Sequence, residues 1–297
     1  MITYDKCPGC GSNNIHAAFS AKDHTVSHES FAIMKCCSCT LMFTQDVPGA
    51  NAIGKYYASE NYISHSDTKK GLINSLYHRV RNITLNNKKN LLRKETGKSS
   101  GNVLDIGCGT GAFLDTMQKA GWNCTGLEPD ENARRKAAEL YRIYPKPAEE
   151  IYELPFGNYD AITMWHVLEH VHELHRYADQ LKMMLAPGGK LFIAVPNYTS
   201  YDAAFYKENW AAYDVPRHLY HFSPQSMSQL MKEHGLTVRK IKPMWYDSFY
   251  VSMLSEKCKT GKGNIFRAFF VGFLSNMKTM MKKDRCSSLI YIIERAV

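Results

Sequence analysis

Apolar and polar positions between residues 100 and 245 follow two alternating periods. Short apolar runs predict strands, and apolar residues three and four positions apart predict helices between them. The predicted strands lie near residues 103–107, 123–128, 142–145, 159–165 and 190–196, and the predicted helices near 111–120, 131–140 and 173–185. Strands that alternate with helices indicate an α/β fold with a mostly parallel sheet.

The C-terminal part extends this pattern. A helix is predicted over residues 224–234, a sixth strand over 236–242 and a last, β-branched strand over 287–294. Residues 198–223 form a predicted insertion after the fifth strand, and a strongly apolar stretch predicts a helix at about 263–281.

A glycine-rich turn follows the first strand of this α/β region. Residues Asp105 to Gly111 have the sequence Asp-Ile-Gly-Cys-Gly-Thr-Gly and lead into a predicted helix. Glycines let a backbone approach a nucleotide cofactor closely. A pyrophosphate would be repelled by the carboxylate of Asp105, whereas a cationic ammonium group would be attracted. The turn therefore favours S-adenosylmethionine, whose methionine part carries such a group.

A second acidic residue supports this interpretation. Glu128 closes the next predicted strand, 23 positions after Asp105. A carboxylate at the tip of the second strand can accept hydrogen bonds from both ribose hydroxyls. The alternatives are a helix N-cap for Asp105 and a solvated loop carboxylate for Glu128.

These motifs resemble those of class I S-adenosylmethionine-dependent methyltransferases. Residues 159–171 resemble the family's fourth strand with the loop after it, and residues 185–197 resemble its fifth strand. The resemblance implies a Rossmann-like, mostly parallel seven-stranded sheet with helices on both faces. It also implies that the cofactor is bound by Asp105, Gly107, Cys108, Gly109, Gly111, Glu128, Pro129, Glu149, Trp165 and His166.

The N-terminal segment carries two Cys-x-x-Cys pairs. Cys7 and Cys10 are followed by Cys36 and Cys39, and Cys37 is a spare thiol. Two such pairs predict a zinc ribbon with four thiolates around one structural ion, although a single pair could also be redox-active. The predicted domains are a zinc ribbon at 1–48, a helical connector at 49–98 and a methyltransferase domain at 99–297.

The composition and the N-terminal residues help to predict the cellular compartment. The chain has 297 residues, 44% of them hydrophobic, and nine cysteines without a basic-then-apolar signal pattern at the N-terminus. No run of 18 uncharged apolar residues predicts a membrane span. These features predict a cytoplasmic protein with metal-bound or free thiols.

Histidines follow the fourth predicted strand. His166 and His170 are four positions apart, so on one helix they could share a face and bind a metal. Since neither a His-Glu-x-x-His motif nor a third ligand at suitable spacing is present, we expect this loop to shape the methyl-transfer pocket instead.

The predicted insertion is the best candidate for substrate contact. It is aromatic and basic, and we expect His170 together with Trp210, Tyr213, Arg217 and Tyr220 to contact the acceptor. A neutral histidine is a good general base near pH 7, so His218 is the first candidate for the proton acceptor and His221 the second. The alternative is that these histidines hold the insertion in place by hydrogen bonds.

A narrower resemblance concerns the same segment. The zinc ribbon, the core and the stretch 216–223 together resemble the deoxysugar C-methyltransferases and their uncharacterised relatives. In that group a histidine in this segment carries the base, and His218 matches the last histidine of the group. The resemblance implies a sugar or sugar-nucleotide acceptor.

The net charge of the chain indicates which kinds of molecule it can bind. A formal charge of +9 suits an anionic small molecule or glycan, a nucleic acid or an acidic membrane surface. The basic, apolar stretch from Ile265 to Lys278 could lie on a membrane, but we expect it to pack on the sheet. Two alternative functions remain, an RNA methyltransferase that grips RNA with its zinc ribbon and a non-catalytic cofactor-binding protein.

Overall fold

The computed structural model describes residues 1–57 and 72–296, with side chains in the first long helix described from residue 79 onward. Part of the predicted helical connector, residues 58–71, lies outside this description. The chain divides into two compact units. Among the described residues, the first unit comprises residues 1–57, 168–177 and 194–291, and the second comprises residues 72–167, 178–193 and 292–296. The segments of the two units are interleaved along the chain.

The regular elements follow one another from the N-terminus. The strands are β1 (Ile15–Lys22), β2 (Ser30–Cys36), β3 (Met42–Thr44), β4 (Asn102–Ile106), β5 (Asn123–Leu127), β6 (Tyr159–Trp165), β7 (Leu185–Pro196), β8 (Tyr220–His221), β9 (Leu236–Pro243) and β10 (Ser288–Arg295). The helices are α1 (Leu72–Thr96), α2 (Ala112–Lys119), α3 (Glu131–Tyr141), α4 (Leu174–Met184), α5 (Tyr201–Tyr206), α6 (Pro224–Glu233), α7 (Asp247–Thr260) and α8 (Ile265–Met281).

The larger sheet has the strand order β5–β4–β6–β7–β10–β9. Strand β4 pairs in parallel with both β5 and β6. The α/β class with a mostly parallel sheet is therefore confirmed. The described residues form six strands in this sheet instead of the predicted seven, because the predicted strand 142–145 does not form and only Lys146, just beyond it, makes a parallel bridge to Leu127. Pro145 and Pro147, on either side of Lys146, lack the N–H groups that a longer ladder needs.

The second unit is built around β4, β5 and β6. Val103 and Leu104 of β4 are fully buried, and Phe113 and Met117 on one face of α2 pack into the same core as Val103. The apolar face that the sequence predicts for α2 thus packs against β4, as expected for an amphipathic helix. Helix α3 begins where the Asp130 carboxylate accepts a hydrogen bond from the Ala133 N–H, an N-cap that fixes the chain just after Glu128.

The first unit contains a four-stranded sheet of order β1–β2–β3–β8. Strands β1 to β3 come from the cysteine-rich N-terminal segment, whereas β8 comes from the predicted insertion. Met42 pairs with His221, and Phe43 pairs with Tyr220. The insertion therefore completes the sheet of the N-terminal segment, which no sequence signal indicates.

The first unit also contains several helices. Helix α6 starts with a capping box formed by Ser223 and Ser226, and α8 starts at Asn264, whose side chain accepts from the Arg267 N–H. Helices α7 and α8 pack closely, since a Cβ at Gly272 would lie 3.0 Å from the Phe249 Cα. These two helices form a hairpin joined by the short segment 261–264.

Candidate functional site

The glycine-rich turn lies in the second unit, between β4 and α2. Gly107, Gly109 and Gly111 all adopt positive φ values, of 68°, 54° and 81°. Gly107 is also restricted by space, since a Cβ there would lie 2.4 Å from the Val167 Cγ2. At Gly109 a Cβ would meet no atom within 4 Å, so the turn leaves room beside its backbone. Both features suit a close approach of a ligand to the main chain.

Asp105 is a buried acid at the end of β4, with a side chain 2% exposed. Its Oδ1 accepts a hydrogen bond of 2.5 Å from the Thr163 hydroxyl, which the β4–β6 register places opposite. Burial raises the pKa of Asp105 to about 7, although the Thr163 hydrogen bond opposes this rise. A cation beside Asp105 would stabilise the carboxylate. Thr163 gives no sequence signal, because only strand pairing brings it to Asp105.

Glu128 follows β5 and is also buried, with 8% exposure. Its Oε2 accepts from the Gly109 N–H at 2.8 Å, and its Oε1 accepts from the Asp130 N–H at 3.0 Å. Burial raises the pKa of Glu128. Each carboxylate oxygen keeps a second lone pair that can accept from a hydroxyl group. Backbone hydrogen bonds thus hold Glu128 in place without using its full acceptor capacity.

Trp165 is the last residue of β6, and His166 follows it directly. The Trp165 ring packs edge-to-face on Phe113, with a centroid distance of 5.6 Å, and the Lys88 Nζ lies 4.1 Å from the Trp165 ring centroid. His166 adopts a left-handed φ of 60°, just before a 3₁₀ turn at Leu168–His170. No helix therefore carries both His166 and His170, and the shared helical face considered from their spacing does not form.

Three further predicted cofactor ligands differ in exposure. Cys108 is buried, and burial raises the pKa of its thiol. The Pro129 carbonyl accepts from the Arg134 guanidinium at 2.8 Å. Glu149 is exposed at the start of a 3₁₀ turn at Ala148–Glu153. The two buried acids suit a ligand with a cationic end and a ribose, which are the features of S-adenosylmethionine on which the prediction rests. The roles of Cys108, Pro129 and Glu149 stay predictions.

Four cysteine thiols converge in the first unit. The Sγ atoms of Cys7 and Cys39 lie 3.5 Å apart, and those of Cys10 and Cys36 lie 3.6 Å apart. All four atoms lie within 4.8 Å of one another, which suits a tetrahedral ion. Cys37 is exposed, and its Sγ lies 3.4 Å from the His16 Nδ1 instead. The thiolate donor set fits zinc, which would cross-link the two Cys-x-x-Cys pairs.

We expect one zinc ion per chain in protein purified without chelator. Because Cys36 belongs to the cluster and Cys37 does not, Cys36→Ser should lose the metal and lower the melting temperature, whereas Cys37→Ser should retain it. Elemental analysis of the two variants checks this directly. Loss of zinc from both variants, or its absence from the parent protein, would contradict the assignment.

Two imidazole rings meet in the first unit. The rings of His170 and His218 are 4.6 Å apart between centroids and are nearly perpendicular. The His170 Nδ1 lies 2.9 Å from the Arg217 carbonyl and 3.0 Å from the Tyr57 hydroxyl, and the His218 Nδ1 lies 2.9 Å from the Ala212 carbonyl. A carbonyl only accepts, so these hydrogen bonds assign a proton to each Nδ1 atom. In the neutral form of each ring, the lone pair is then on Nε2.

The two rings differ in their surroundings. Burial lowers the pKa of His170 to about 4, and the neighbouring His218 adds to this effect. The His218 Nε2 lies 4.0 Å from an Asp214 carboxylate oxygen. Tyr57 ends a 3₁₀ turn at Ile53–Tyr57, and its hydroxyl is hydrogen-bonded to His170. The sequence did not predict this contact.

The same pair lies beside a carboxylate. Glu169, His170 and His218 each offer one ligand atom, and these atoms lie within 4.8 Å of one another. His170 thus has two further metal-type donors near it, although the sequence spacing indicated no third ligand. A second metal ion per chain in the elemental analysis would show that this group binds one.

His221 is in a different situation from His218. It is 3% exposed, and burial lowers its pKa well below the ordinary value. The Thr44 hydroxyl donates to the His218 carbonyl at 2.7 Å, so it accepts from the His221 Nε2, 3.1 Å away. With its Nε2 proton engaged in this way, His221 is suited to holding β8 against β3 and poorly suited to accepting a proton.

The basic residue of the predicted substrate segment is engaged within the protein. Arg217 is 1% exposed and forms ion pairs with Asp23 at 3.0 Å and Asp214 at 2.7 Å. Its guanidinium also donates to the Tyr56 carbonyl at 2.7 Å. This arrangement does not match the expectation that Arg217 holds an anionic group of the substrate, because two carboxylates already neutralise it. Arg217 instead fixes the insertion to the N-terminal segment.

The aromatic residues of the insertion are likewise in the core. The side chains of Trp210, Tyr213 and Tyr220 are at most 5% exposed. The Trp210 Nε1–H donates to Asp202 at 2.8 Å, and Tyr213 packs edge-to-face on Trp210. The expected contact of these residues with a substrate is therefore not supported by their placement, because all three are buried and Trp210 and Tyr213 pack on each other. Of the predicted substrate residues, His170 keeps an available ring nitrogen.

Comparison with known proteins identifies the family. A model described as a methyltransferase domain matches residues 77–241, more than half of the chain. Ubiquinone biosynthesis O-methyltransferase, mitochondrial, from Homo sapiens is 28% identical over 165 residues, which cover 50% of this chain and 44% of that protein. The ubiquinone biosynthesis O-methyltransferase of Acinetobacter baumannii (strain AYE) is 25% identical, over 51% of this chain and 70% of that protein. The match thus spans less than half of the human relative.

A solved methyltransferase structure from Galdieria sulphuraria has the same fold, with a TM-score of 0.51 and 15% identity, covering 71% of this chain and 86% of that chain. The family match includes the glycine-rich turn, Glu128 and strands β4 to β7. The chain therefore belongs to the methyltransferase domain family, which confirms its predicted resemblance to the class I S-adenosylmethionine-dependent methyltransferases.

Proposed function

We propose that this protein transfers a methyl group from S-adenosylmethionine to a small-molecule or glycan acceptor, most specifically a sugar or sugar nucleotide. The observation that carries the proposal is the pair of buried acids, Asp105 and Glu128, on either side of a glycine turn with open space beside it. When bound, S-adenosylmethionine supplies an electrophilic methyl group on a sulfonium centre. The protein's own residues bind this cofactor, orient the acceptor and take up a proton.

Asp105 and Glu128 divide the binding of the cofactor. Asp105 pairs with the ammonium group of the methionine part, and this pairing offsets the cost of a buried negative charge. Glu128 accepts hydrogen bonds from the ribose hydroxyls through the lone pairs that its backbone donors leave available. The turn glycines bring main-chain groups close to the same ligand.

The pKa of Asp105 gives a pH dependence with a definite sign. The ammonium group binds the carboxylate form, and burial raises the pKa of that carboxyl to about 7 in the free protein. Cofactor affinity should therefore fall as the pH drops below 7, by up to about tenfold per pH unit, because binding must first remove a proton. Titration calorimetry between about pH 5.5 and 7, below the range in which an α-amino group titrates, checks this. Asp105→Asn should bind more weakly and lose the dependence, and a flat profile in the parent protein would contradict the role.

His218 is proposed as the proton acceptor. Its Nδ1–H is fixed to the Ala212 carbonyl, so the Nε2 lone pair has a defined direction. Asp214, near that nitrogen, stabilises the imidazolium that forms on protonation. His170 and Tyr57 restrict the ring from the other side, through the His170–His218 contact and the Tyr57–His170 hydrogen bond. Acceptors that lose a proton on methylation, such as hydroxyl groups, are the class served by this arrangement.

The proposed class of acceptor is supported by the net charge, by a sequence resemblance and by the descriptions of related proteins. The net charge of +9 suits an anionic acceptor, and the resemblance of residues 216–223 to the sugar methyltransferases favours a sugar. The curated relatives are described as O-methyltransferases of ubiquinone biosynthesis, which supports a small-molecule hydroxyl as the acceptor group.

The test is a transfer screen with S-adenosylmethionine labelled in its methyl group. Sugar nucleotides, glycan extracts, lipid extracts and RNA are each incubated with the parent protein and with Glu128→Ala as the control. Label in a sugar or glycan fraction that disappears in the control supports the proposal. Label confined to RNA would instead indicate an RNA methyltransferase. Tight cofactor binding without transfer to any fraction would indicate a non-catalytic cofactor-binding protein.

A further inference from the structure

Helix α8 exposes large apolar side chains along one face. Phe266, Phe269, Phe270 and Phe273 lie on this face, and Phe266 is 85% exposed. The exposed positions follow helical spacing and are Phe266, Phe269, Phe270, Phe273, Met277 and Met280. We call these six residues the apolar stripe. An exposed stripe of this length is unusual on a soluble protein surface and marks an interaction site.

The buried face of α8 carries small residues. These are Ala268, Val271, Gly272, Ser275 and Thr279. Gly272 allows the close approach of α7, and the Ser275 hydroxyl donates to the buried Asp202 at 2.8 Å. The sequence predicted that this helix would pack on the sheet, whereas its small face packs on α7 and contacts Asp202 of α5. A helix that served packing alone would turn its large side chains inward, so the reversed distribution requires another partner for the apolar stripe.

The neighbouring segment adds amphipathic aromatic residues. Trp245, Tyr246 and Tyr250, before and within α7, are each at least 40% exposed, as is Met253. Between residues 245 and 281 lie twelve of the eighteen exposed large hydrophobic side chains of the described residues. The exposure is thus concentrated in one hairpin. Tyrosine and tryptophan have an apolar body and a polar tip, which suits the boundary between water and hydrocarbon.

The same hairpin is strongly basic. Residues 247–285 contain eight lysines and arginines against three acidic residues, a net charge of +5. Arg267 is paired with the buried Glu256 at 3.3 Å, so α8 is joined to α7 across the hairpin. Exposed lysines flank the apolar stripe at both ends, among them Lys259, Lys262, Lys278, Lys282 and Lys283.

We propose that the α7–α8 hairpin binds an anionic lipid surface, with the apolar stripe inserted at the level of the headgroups and the flanking lysines on the lipid phosphates. Aromatic residues on one face and lysines beside them are the pattern of helices that lie in the plane of a membrane. Among the residues that the structure describes, no helix is long and apolar enough to cross a bilayer. A second copy of this chain is a poorer partner, because two such faces would bring like charges together.

Flotation of the full-length protein with vesicles tests the proposal. The protein should bind vesicles of phosphatidylcholine mixed with phosphatidylglycerol at least about tenfold more tightly than vesicles of phosphatidylcholine alone, and added salt should weaken the binding. Replacing Phe266 and Phe270 together by alanine should lower the affinity for the anionic vesicles by a further factor of about ten or more. Both side chains are exposed, so the fold and cofactor affinity should not change.

A matched pair of residues provides the control. Tyr144 and Phe156 are 79% and 64% exposed but lie outside the hairpin. Their joint replacement by alanine removes comparable aromatic surface and should leave vesicle binding intact. An equal loss in both double variants, or no binding of the parent protein to anionic vesicles, overturns the proposal. Self-association that depends on Phe266 and Phe270, without vesicle binding, would assign the apolar stripe to a second copy instead.

Discussion

His218→Asn is expected to lower the rate of methyl transfer about 100-fold or more while leaving cofactor affinity unchanged. The asparagine amide can still donate to the Ala212 carbonyl, which now accepts from the His218 Nδ1 at 2.9 Å. The variant therefore keeps the anchoring hydrogen bond and removes only the Nε2 lone pair. A loss confined to kcat would identify a proton acceptor, whereas a rise in KM alone would indicate that the residue only contacts the acceptor.

The control for this experiment is His221→Gln. The glutamine amide can replace the His221 Nε2–H that the Thr44 hydroxyl accepts, so transfer should stay within about threefold of the parent rate. Purified enzyme is assayed at steady state over a range of concentrations of the acceptor found in the screen, which gives kcat and KM separately. Full activity of His218→Asn would show that His218 is structural, and the base would then be sought at His166 or His170.

Glu128→Ala is expected to weaken cofactor binding by the largest factor of any single change in the second unit. Two hydrogen bonds from ribose hydroxyls to a carboxylate contribute about 1.5–3 kcal/mol each, so affinity should fall about 10²- to 10⁴-fold. Calorimetric titration with S-adenosylmethionine measures this loss. Unchanged affinity in the alanine variant would rule out Glu128 as the ribose ligand.

Glu128 also accepts from the Gly109 and Asp130 N–H groups, so its removal could loosen the turn itself. Glu128→Gln preserves the size of the side chain and keeps one acceptor oxygen, although its NH2 group then faces one of the two backbone N–H donors. It should therefore lower the melting temperature less than the alanine variant does and lose only part of the affinity. Glu139→Ala, an exposed change on α3, should alter neither quantity.

Local sequence order determined the features that depend on neighbouring residues. A buried strand followed by glycines that tolerate positive φ specifies the Asp105–Gly111 turn, and the alternation of strands and helices specifies the parallel sheet, so both follow from the order of residues alone. The two Cys-x-x-Cys pairs are similarly local, and the structure brings Cys7, Cys10, Cys36 and Cys39 together. The predicted third strand failed because its prolines interrupt the hydrogen-bond ladder.

Only the tertiary structure decided which polar and aromatic residues are buried and what they contact. Thr163 reaches Asp105 through strand register, and Asp23 neutralises Arg217 across 194 positions of sequence. Neither contact has a periodic signal, because strand pairing and charge pairing over such separations depend on the whole fold. For the same reason the sequence marked Arg217 and Trp210 as substrate residues, whereas the fold buries them.

For the apolar stripe too, the sequence determined some features and the tertiary structure decided others. The sequence by itself determined that residues 265–281 form an apolar helix with basic neighbours, since helical spacing and charge are local properties. It did not determine which face the protein covers. The structure buries the small residues, because Gly272 permits close contact with α7, and this packing leaves the phenylalanines exposed.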